Sequence, residues 1–337
     1  MRAGATGKDN QPTAGVRSRP RIGLALGGGG ARGLAHIPVL EAFDELGIKP
    51  DVIAGTSIGA IFGAAYASGL SGREIRAQAE EVLTQRFGLL RDIFAARAQA
   101  MSRFLGIFAQ RSALLDAASL LETIMPARLA DDFADLEIPL KVVATDFYQQ
   151  EPHVFASGPL RRAVAASMAL PVIFQPVVVD GRAMIDGGLS NPLPFDLLTG
   201  EADIVVAIDV SGAPVPSDRR AHPTAFEALF ASAFIFERTI VREKLKSVQP
   251  DIYIEGGTSH FQVLDFLKLG DILAAAEPAK QKLKLQLQRV LGSETLVAID
   301  APAEPVALVA PPAAPPPKQK RKLLPGRRRR GKAGAES

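Results

Sequence analysis

Ser57 stands between glycines at minus two and plus two, in Gly55-Thr56-Ser57-Ile58-Gly59, after the apolar run Val52-Ile53-Ala54 and before an apolar helix. This is the pattern of a nucleophile elbow, a strand-to-helix turn too tight for larger neighbours, which leaves the serine hydroxyl exposed. The pattern alone is a weak signal, so its surroundings decide its weight. A serine is a poor nucleophile at its free pKa and needs a base. Of the four histidines, His36, His153, His222 and His260, none lies in a recognisable triad setting, and each reads as a solvated or structurally satisfied imidazole. Asp186-Gly187-Gly188 offers another base, a carboxylate at a strand end on a sharp turn, although the same tripeptide also makes ordinary turns. A Ser57–Asp186 dyad could take up the hydroxyl proton during attack and then activate water for deacylation.

Acyl transfer also needs donors for the oxyanion. Gly28-Gly29-Gly30 follows the apolar strand Ile22–Leu26, so its backbone N–H groups can converge on one point where a side chain would block the approach. A helix expected from about Ala31 to Leu46 would add its positive end. Arg32 in this loop could brace it, meet a phosphate, or be a surface charge.

Two other chemistries fit some of these residues. Gly28, Gly30 and Gly33 match a dinucleotide fingerprint with Asp51 about 20 residues on, but Asp51 begins the second strand instead of ending it, and Ser57 and Asp186 are left without a role. A P-loop fits worse, since no Gly-Lys-Ser/Thr follows. The chain order also permits a Ser-His-Asp triad built from Ser57, Asp186 or Asp209, and His222 or His260. A non-enzymatic nucleotide-binding or scaffold protein completes the set of alternatives.

The elements that must hold these residues alternate strand and helix. Strands are expected at 22–26, 52–54, 138–147, 153–156, 204–210 and 252–254, with a hairpin of 177–179 and 183–185 turning at Asp180-Gly181. Helices are expected at 58–68, within 73–127, and at 160–169, 222–248 and 265–293. The implied fold class is α/β, a three-layer α/β/α arrangement around a mostly parallel central sheet. The stretch Val52–Gly72 carries no charge, but glycines and Ser/Thr interrupt it, so it reads as a buried helix after the elbow and not a membrane span. Residues 86–109, rich in Phe, Leu, Ile and Met, fit either a core-facing helix pair or a lipid-facing cap.

The chain has 337 residues, is 47% apolar, and contains no cysteine, which removes disulfides, thiolate catalysis and Cys-ligated metal and suits a reducing cytoplasm. Residues 1–20 are polar and lack the apolar core of a leader, so a disordered segment is expected there. The folded domain is expected over 21–298, a stiff Pro/Ala-rich linker over 299–317, and a basic disordered tail over 318–337. The net charge of +3 conceals a split: the tail holds nine Lys/Arg and one acid, and the remainder holds 30 basic and 35 acidic residues. Such a tail could hold the protein at an anionic membrane, at the inner face in a cytoplasmic setting, or be a solvated end without a partner. No dedicated nucleic-acid partner is expected.

The chain resembles the patatin-like phospholipase family, in its bacterial branch similar to the neuropathy target esterase catalytic domain. Residues Leu24–His36 resemble the family's oxyanion block, Gly55–Gly59 its nucleophile block, Ala166–Phe174 a third and mainly structural block, and Asp186–Pro192 its Asp-Gly-Gly block. The resemblance implies Ser57 as nucleophile, Asp186 as base and the amides of Gly28, Gly29 and Gly30 as the oxyanion hole, supported by Arg32, Gly55, Gly59, Gly187 and Gly188. It further implies no metal, no cofactor, and hydrolysis of acyl esters in phospholipids, lysophospholipids or other lipids.

Overall fold

The computed structural model describes residues 19–85, 115–126, 128–212, 222 and 225–293. Residues 86–109, the linker, the basic tail and all but the last two residues of the 1–20 segment lie outside the described residues. Eight strands form one sheet: β1 (Ile22–Leu26), β2 (Val52–Thr56), β3 (Leu140–Asp146), β4 (Glu151–Phe155), β5 (Val177–Val179), β6 (Arg182–Asp186), β7 (Ile204–Asp209) and β8 (Ile252–Glu255). Their order is β5-β6-β3-β2-β1-β7-β8, with β4 also pairing β3. The pairs among β3, β2, β1, β7 and β8 are parallel, whereas β4, β5 and β6 join antiparallel, so the sheet is mixed and mostly parallel. The helices are α1 (His36–Glu45), α2 (Ile58–Ala67), α3 (Gly72–Gln85), α4 (Ala117–Ile124), α5 (Leu160–Ser167), α6 (Ala225–Ser247) and α7 (Leu269–Ser293).

Strand periodicity explains the three layers, because alternate side chains leave opposite faces of a strand. Ile22, Leu24 and Leu26 of β1, with Val206 and Ile208 of β7, pack one face against α1, α2, α5 and α7. Ala25, Val52, Ala54, Val205 and Ala207 point the other way, onto Phe195, Leu198 and Val241 of α6. Both faces of the central strands are covered, which is why these strands are apolar throughout.

Local signals set the turns as expected. Asp180 and Gly181 both adopt positive φ, 48° and 77°, in the hairpin between β5 and β6. Gly47 (φ 65°) and Gly69 (φ 91°) follow the ends of α1 and α2. The helix expected from Ala31 is corrected: residues Gly30–Ala35 form a 3-10 segment, and the α-helix starts at His36. Pro38 explains the difference. Counted from His36 it lies in the first turn, where its missing N–H costs nothing. In a helix from Ala31 its ring would strike the carbonyl of Leu34.

Candidate active site

Sheet register brings the two dyad candidates together. Thr56, the last residue of β2, pairs with Val143 of β3, and the next β3 residue, Ala144, pairs with Asp186 of β6. Ser57 therefore leaves β2 beside the end of β6. Its backbone is held at φ 54°, a region a non-glycine residue rarely occupies, as a strained elbow requires. The flanking glycines are steric necessities. A Cβ on Gly59 would lie 2.2 Å from the Leu26 carbonyl oxygen, and one on Gly55 would lie 2.6 Å from the carbonyl of Gly59.

The Ser57 hydroxyl donates to Asp186 Oδ2 at 2.7 Å. The second carboxylate oxygen accepts the Gly188 N–H at 2.8 Å. Asp186 is buried, and burial pushes its pKa up to about 6 against the lowering effect of the Ser57 and Gly188 hydrogen bonds. Gly187 admits no side chain, because a Cβ there would meet the Val143 carbonyl at 2.1 Å. Thr145 Oγ1 donates to the Asp186 carbonyl, and Thr56 Oγ1 to the Asn191 carbonyl, both at 2.8 Å. Lys244 of α6 completes the support by donating to Asp196 and to the Asn191 side chain.

The glycine loop lies directly against the serine: a side chain on Gly28 would start 3.5 Å from Ser57 Cβ. Its amides are not equivalent. The Gly28 N–H is committed to the Pro192 carbonyl at 2.9 Å, which corrects the expectation that all three glycine amides are open to an oxyanion. The amides of Gly29 and Gly30 have no hydrogen-bond partner among the described residues. Gly30 alone of the three has φ in the left-handed region, 59°, and a Cβ there would sit 2.4 Å from the Val263 carbonyl. Arg32 braces this loop. It is buried, its Nε donates to the Gly29 carbonyl at 3.2 Å, and its guanidinium lies over the Phe234 ring. The expected helix end at Ala31 does not reach the loop, because the α-helix begins at His36.

No histidine hydrogen-bonds Ser57 or Asp186 among the described residues. His36 is fully buried and bonds the Gly27 carbonyl at 2.8 Å, and burial pushes its pKa down to about 4, so it is neutral. His153 packs on Phe155 and His260 on Phe261, while His222 is exposed. Asp209 takes the Tyr253 hydroxyl and the Ser211 N–H. Asp51 sits at the opposite end of the parallel pair from the glycine loop and accepts the Ile22 N–H at 2.8 Å and two hydrogen bonds from Arg19. It is a strand-edge anchor and not a ribose ligand.

Two residues beside Ser57 and Asp186 have roles that the sequence does not single out, although the first lies in the third family block. Ser167, at the end of α5, accepts the Ser57 N–H at 2.8 Å and donates to the Val143 carbonyl at 2.6 Å, tying the elbow to β3. Glu237 of α6 is buried near Asp186. A point one Cβ length above Gly188 is 2.7 Å from Glu237 Oε1 and 3.1 Å from Asp186 Oδ1. Burial, then the Asp186 charge, push the Glu237 pKa up to about 8, and Arg32 offsets this in part. Beyond the dyad, a cavity of about 470 Å³ begins at Gly30 and Ile58 and runs between α2, α3 and α4, with Phe62, Val82, Leu120 and Met168 in its nearly all-apolar wall.

A family model described as patatin-like phospholipase matches residues 24–199, which hold every one of these motifs. The chain belongs to the patatin-like phospholipase family. It is 35% identical over 207 residues to an uncharacterized NTE family protein of Mycobacterium tuberculosis, covering 61% of this chain and 53% of that one. It is also 35% identical over 192 residues to patatin-like phospholipase domain-containing protein 6 of Homo sapiens, covering 56% of this chain and 13% of the human protein. The chain thus spans about half the length of its mycobacterial relative and a small part of the human one. Among solved structures, VipD from Legionella pneumophila aligns over 82% of this chain and 67% of its own at 15% identity and a TM-score of 0.43. Human GIVD cytosolic phospholipase A2 aligns over 81% of this chain and 60% of its own at 12% identity and a TM-score of 0.39. No helix among the described residues is long and apolar enough to cross a membrane.

Proposed function

We propose that this protein is a serine hydrolase of lipid acyl esters, of phospholipase A or lysophospholipase type, working through a Ser57–Asp186 dyad. The observation that carries this reading is the Ser57 Oγ to Asp186 Oδ2 hydrogen bond of 2.7 Å at the head of an apolar cavity. Family membership supports it, as do relatives named as phospholipase domain-containing proteins.

In this mechanism Asp186 accepts the hydroxyl proton as Ser57 Oγ adds to the ester carbonyl. The amides of Gly29 and Gly30 receive the oxyanion, and a preorganised donor of this kind is worth about 10²–10³ in rate. Collapse breaks the ester bond. Protonated Asp186 returns its proton to the departing alkoxide, and the acyl-enzyme remains. Asp186, again ionised, takes a proton from water as its oxygen attacks the acyl carbon; the second tetrahedral intermediate then collapses, Asp186 returns the proton to the departing Ser57 Oγ, and the fatty acid leaves. The cavity from Ile58 onward suits one acyl chain, since apolar walls with few polar groups bind by burial.

Fluorophosphonate labelling of the purified protein beside a Ser57→Ala control tests the reading. Labelling restricted to the unsubstituted protein, together with fatty-acid release from phospholipid or lysophospholipid, is the expected result. Unlabelled protein that releases no fatty acid would refute it. The basic tail is proposed to add attraction to anionic membranes, each Lys or Arg near the surface contributing about 1 kcal/mol. Glutamine at Arg327, Arg328, Arg329 and Arg330 should then weaken sedimentation with anionic liposomes.

A further inference from the structure

Six of the nine exposed large hydrophobic side chains among the described residues fall in three short segments: Phe147 and Tyr148, Ile235 and Phe236, and Leu264 and Leu267. Topology brings all three to the edge of the sheet that carries the dyad. Phe147 and Tyr148 directly follow β3, whose parallel neighbour β2 delivers Ser57 at the same end. They share a surface depression with Leu189 and Ser190, just after the Asp-Gly-Gly turn, and with Ile240 of α6. Helix α6 crosses above that turn: Glu237 approaches Gly188, Phe234 lies under Arg32, and the intervening Ile235 and Phe236 are 50% and 63% exposed. Beside the glycine loop, where Val263 meets Gly30, Leu264 and Leu267 are 46% and 64% exposed yet also line the cavity that begins at Gly30 and Ile58.

Scattered exposed hydrophobics need no explanation, but an apolar rim continuous with an apolar cavity does. Leu264 and Leu267 belong to the rim and to the cavity wall at once. An acyl chain passing from a bilayer over these residues would not have to cross water, the unfavourable step in moving any hydrocarbon between two apolar phases. Tyr148, 76% exposed with a polar tip on an apolar ring, has the character of side chains that settle at a lipid–water boundary.

We infer that the ring formed by Phe147, Tyr148, Ile235, Phe236, Leu264 and Leu267 is a docking surface for a lipid bilayer, into which these side chains insert around the mouth of the site. The inference rests on the proposed function for the identity of the surface met. Its driving force is hydrophobic, so it acts on uncharged bilayers as well as on anionic ones. That separates it from the basic tail, whose attraction needs anionic lipid.

The test is flotation of the full-length protein with vesicles of pure phosphatidylcholine, in a Ser57→Ala background so that the vesicles stay intact. The parent protein should float, and Tyr148→Ser with Phe236→Ser should lower its partition coefficient about tenfold, as expected when two apolar side chains no longer insert. Leu267→Ser should weaken flotation as well. In the Ser57 protein, the Tyr148→Ser, Phe236→Ser pair should hydrolyse a water-soluble butyrate ester within about twofold of the parent rate, with an unchanged Tm. Equal flotation of parent and variant overturns the inference. So does flotation confined to anionic vesicles, which would assign binding to the tail. A dimer abolished by the same pair, without vesicle binding, would assign the ring to a second copy of the chain and also overturn it. Loss of ester hydrolysis in every form with vesicle binding intact would instead refute the proposed function and leave the docking surface standing.

Discussion

Ser167 Oγ accepts a hydrogen bond from the Ser57 N–H at 2.8 Å and donates one to the Val143 carbonyl at 2.6 Å, so one hydroxyl clamps the strained elbow to the neighbouring strand. Ser167→Ala removes the partner of a part-buried N–H and of a buried carbonyl, at a cost of up to about 1–3 kcal/mol for each group left unpaired. Because the clamp orients Ser57 without touching substrate, kcat should fall about tenfold or more while KM moves little, and Ser167→Thr should recover part of the loss. Steady-state kinetics with an unchanged kcat for the alanine variant would remove Ser167 from any positioning role.

Asp186 must be ionised to act as a base. Its pKa is raised from the ordinary 3.8 to about 6 by burial, so kcat/KM should climb through an apparent pKa near 6 as pH increases and level off above it. Asp186→Asn should lose at least about 10³ in rate, being unable to take the proton. A pH–rate profile flat between pH 5 and 7 contradicts the assignment.

The same burial makes the site a liability for folding. Both Asp186 and Glu237 hold protons more tightly when folded, at about 6 against 3.8 and about 8 against 4.5. Their contribution to stability is therefore full below pH 4 and is lost as pH rises, through 6 for Asp186 and through 8 for Glu237. Asp186→Asn and Glu237→Gln, which carry no charge, should accordingly raise Tm at pH 9 relative to the parent and change it little at pH 4.5. Thermal melts at the two pH values give the sign directly.

Gly30 combines φ of 59° with a Val263 carbonyl 2.4 Å from any added Cβ. Gly30→Ala should displace the loop and its amide, costing about 10²–10³ in kcat as for loss of an oxyanion donor. Fluorophosphonate labelling that keeps the parent rate in this variant would show the amide to be dispensable.

Ala79 of α3 lies half-buried in the cavity wall. Ala79→Phe places a ring in the path of an acyl chain. The kcat/KM ratio of a sixteen-carbon to a four-carbon ester should drop at least about tenfold, the lower end of what one mismatched methylene costs in an apolar pocket. A ratio that stays put would place the acyl chain elsewhere.

Much of this molecule is legible along the chain because it is decided over a few residues. Gly55 and Gly59 around Ser57, the Asp180-Gly181 hairpin and the glycines after α1 and α2 act through local sterics, and alternating apolar positions give the sheet its two faces. Even the late start of α1 is written in Pro38. The fold class follows from such signals, and so does the choice of Ser57 and Asp186 as the proposed dyad. What only the tertiary structure decided depends on pairs far apart in sequence. Pro192 takes the amide of Gly28, Ser167 holds an elbow 110 residues away, and Glu237 comes to rest beside Asp186 and Gly188. Ser167 and Pro192 lie in recognisable blocks and Glu237 in none, but the partner each one meets is not written in its own neighbours and is fixed only when packing brings it to the site. Burial decides the charge state of the carboxyls in the same way, because desolvation is a property of the assembled core and not of any short stretch of chain.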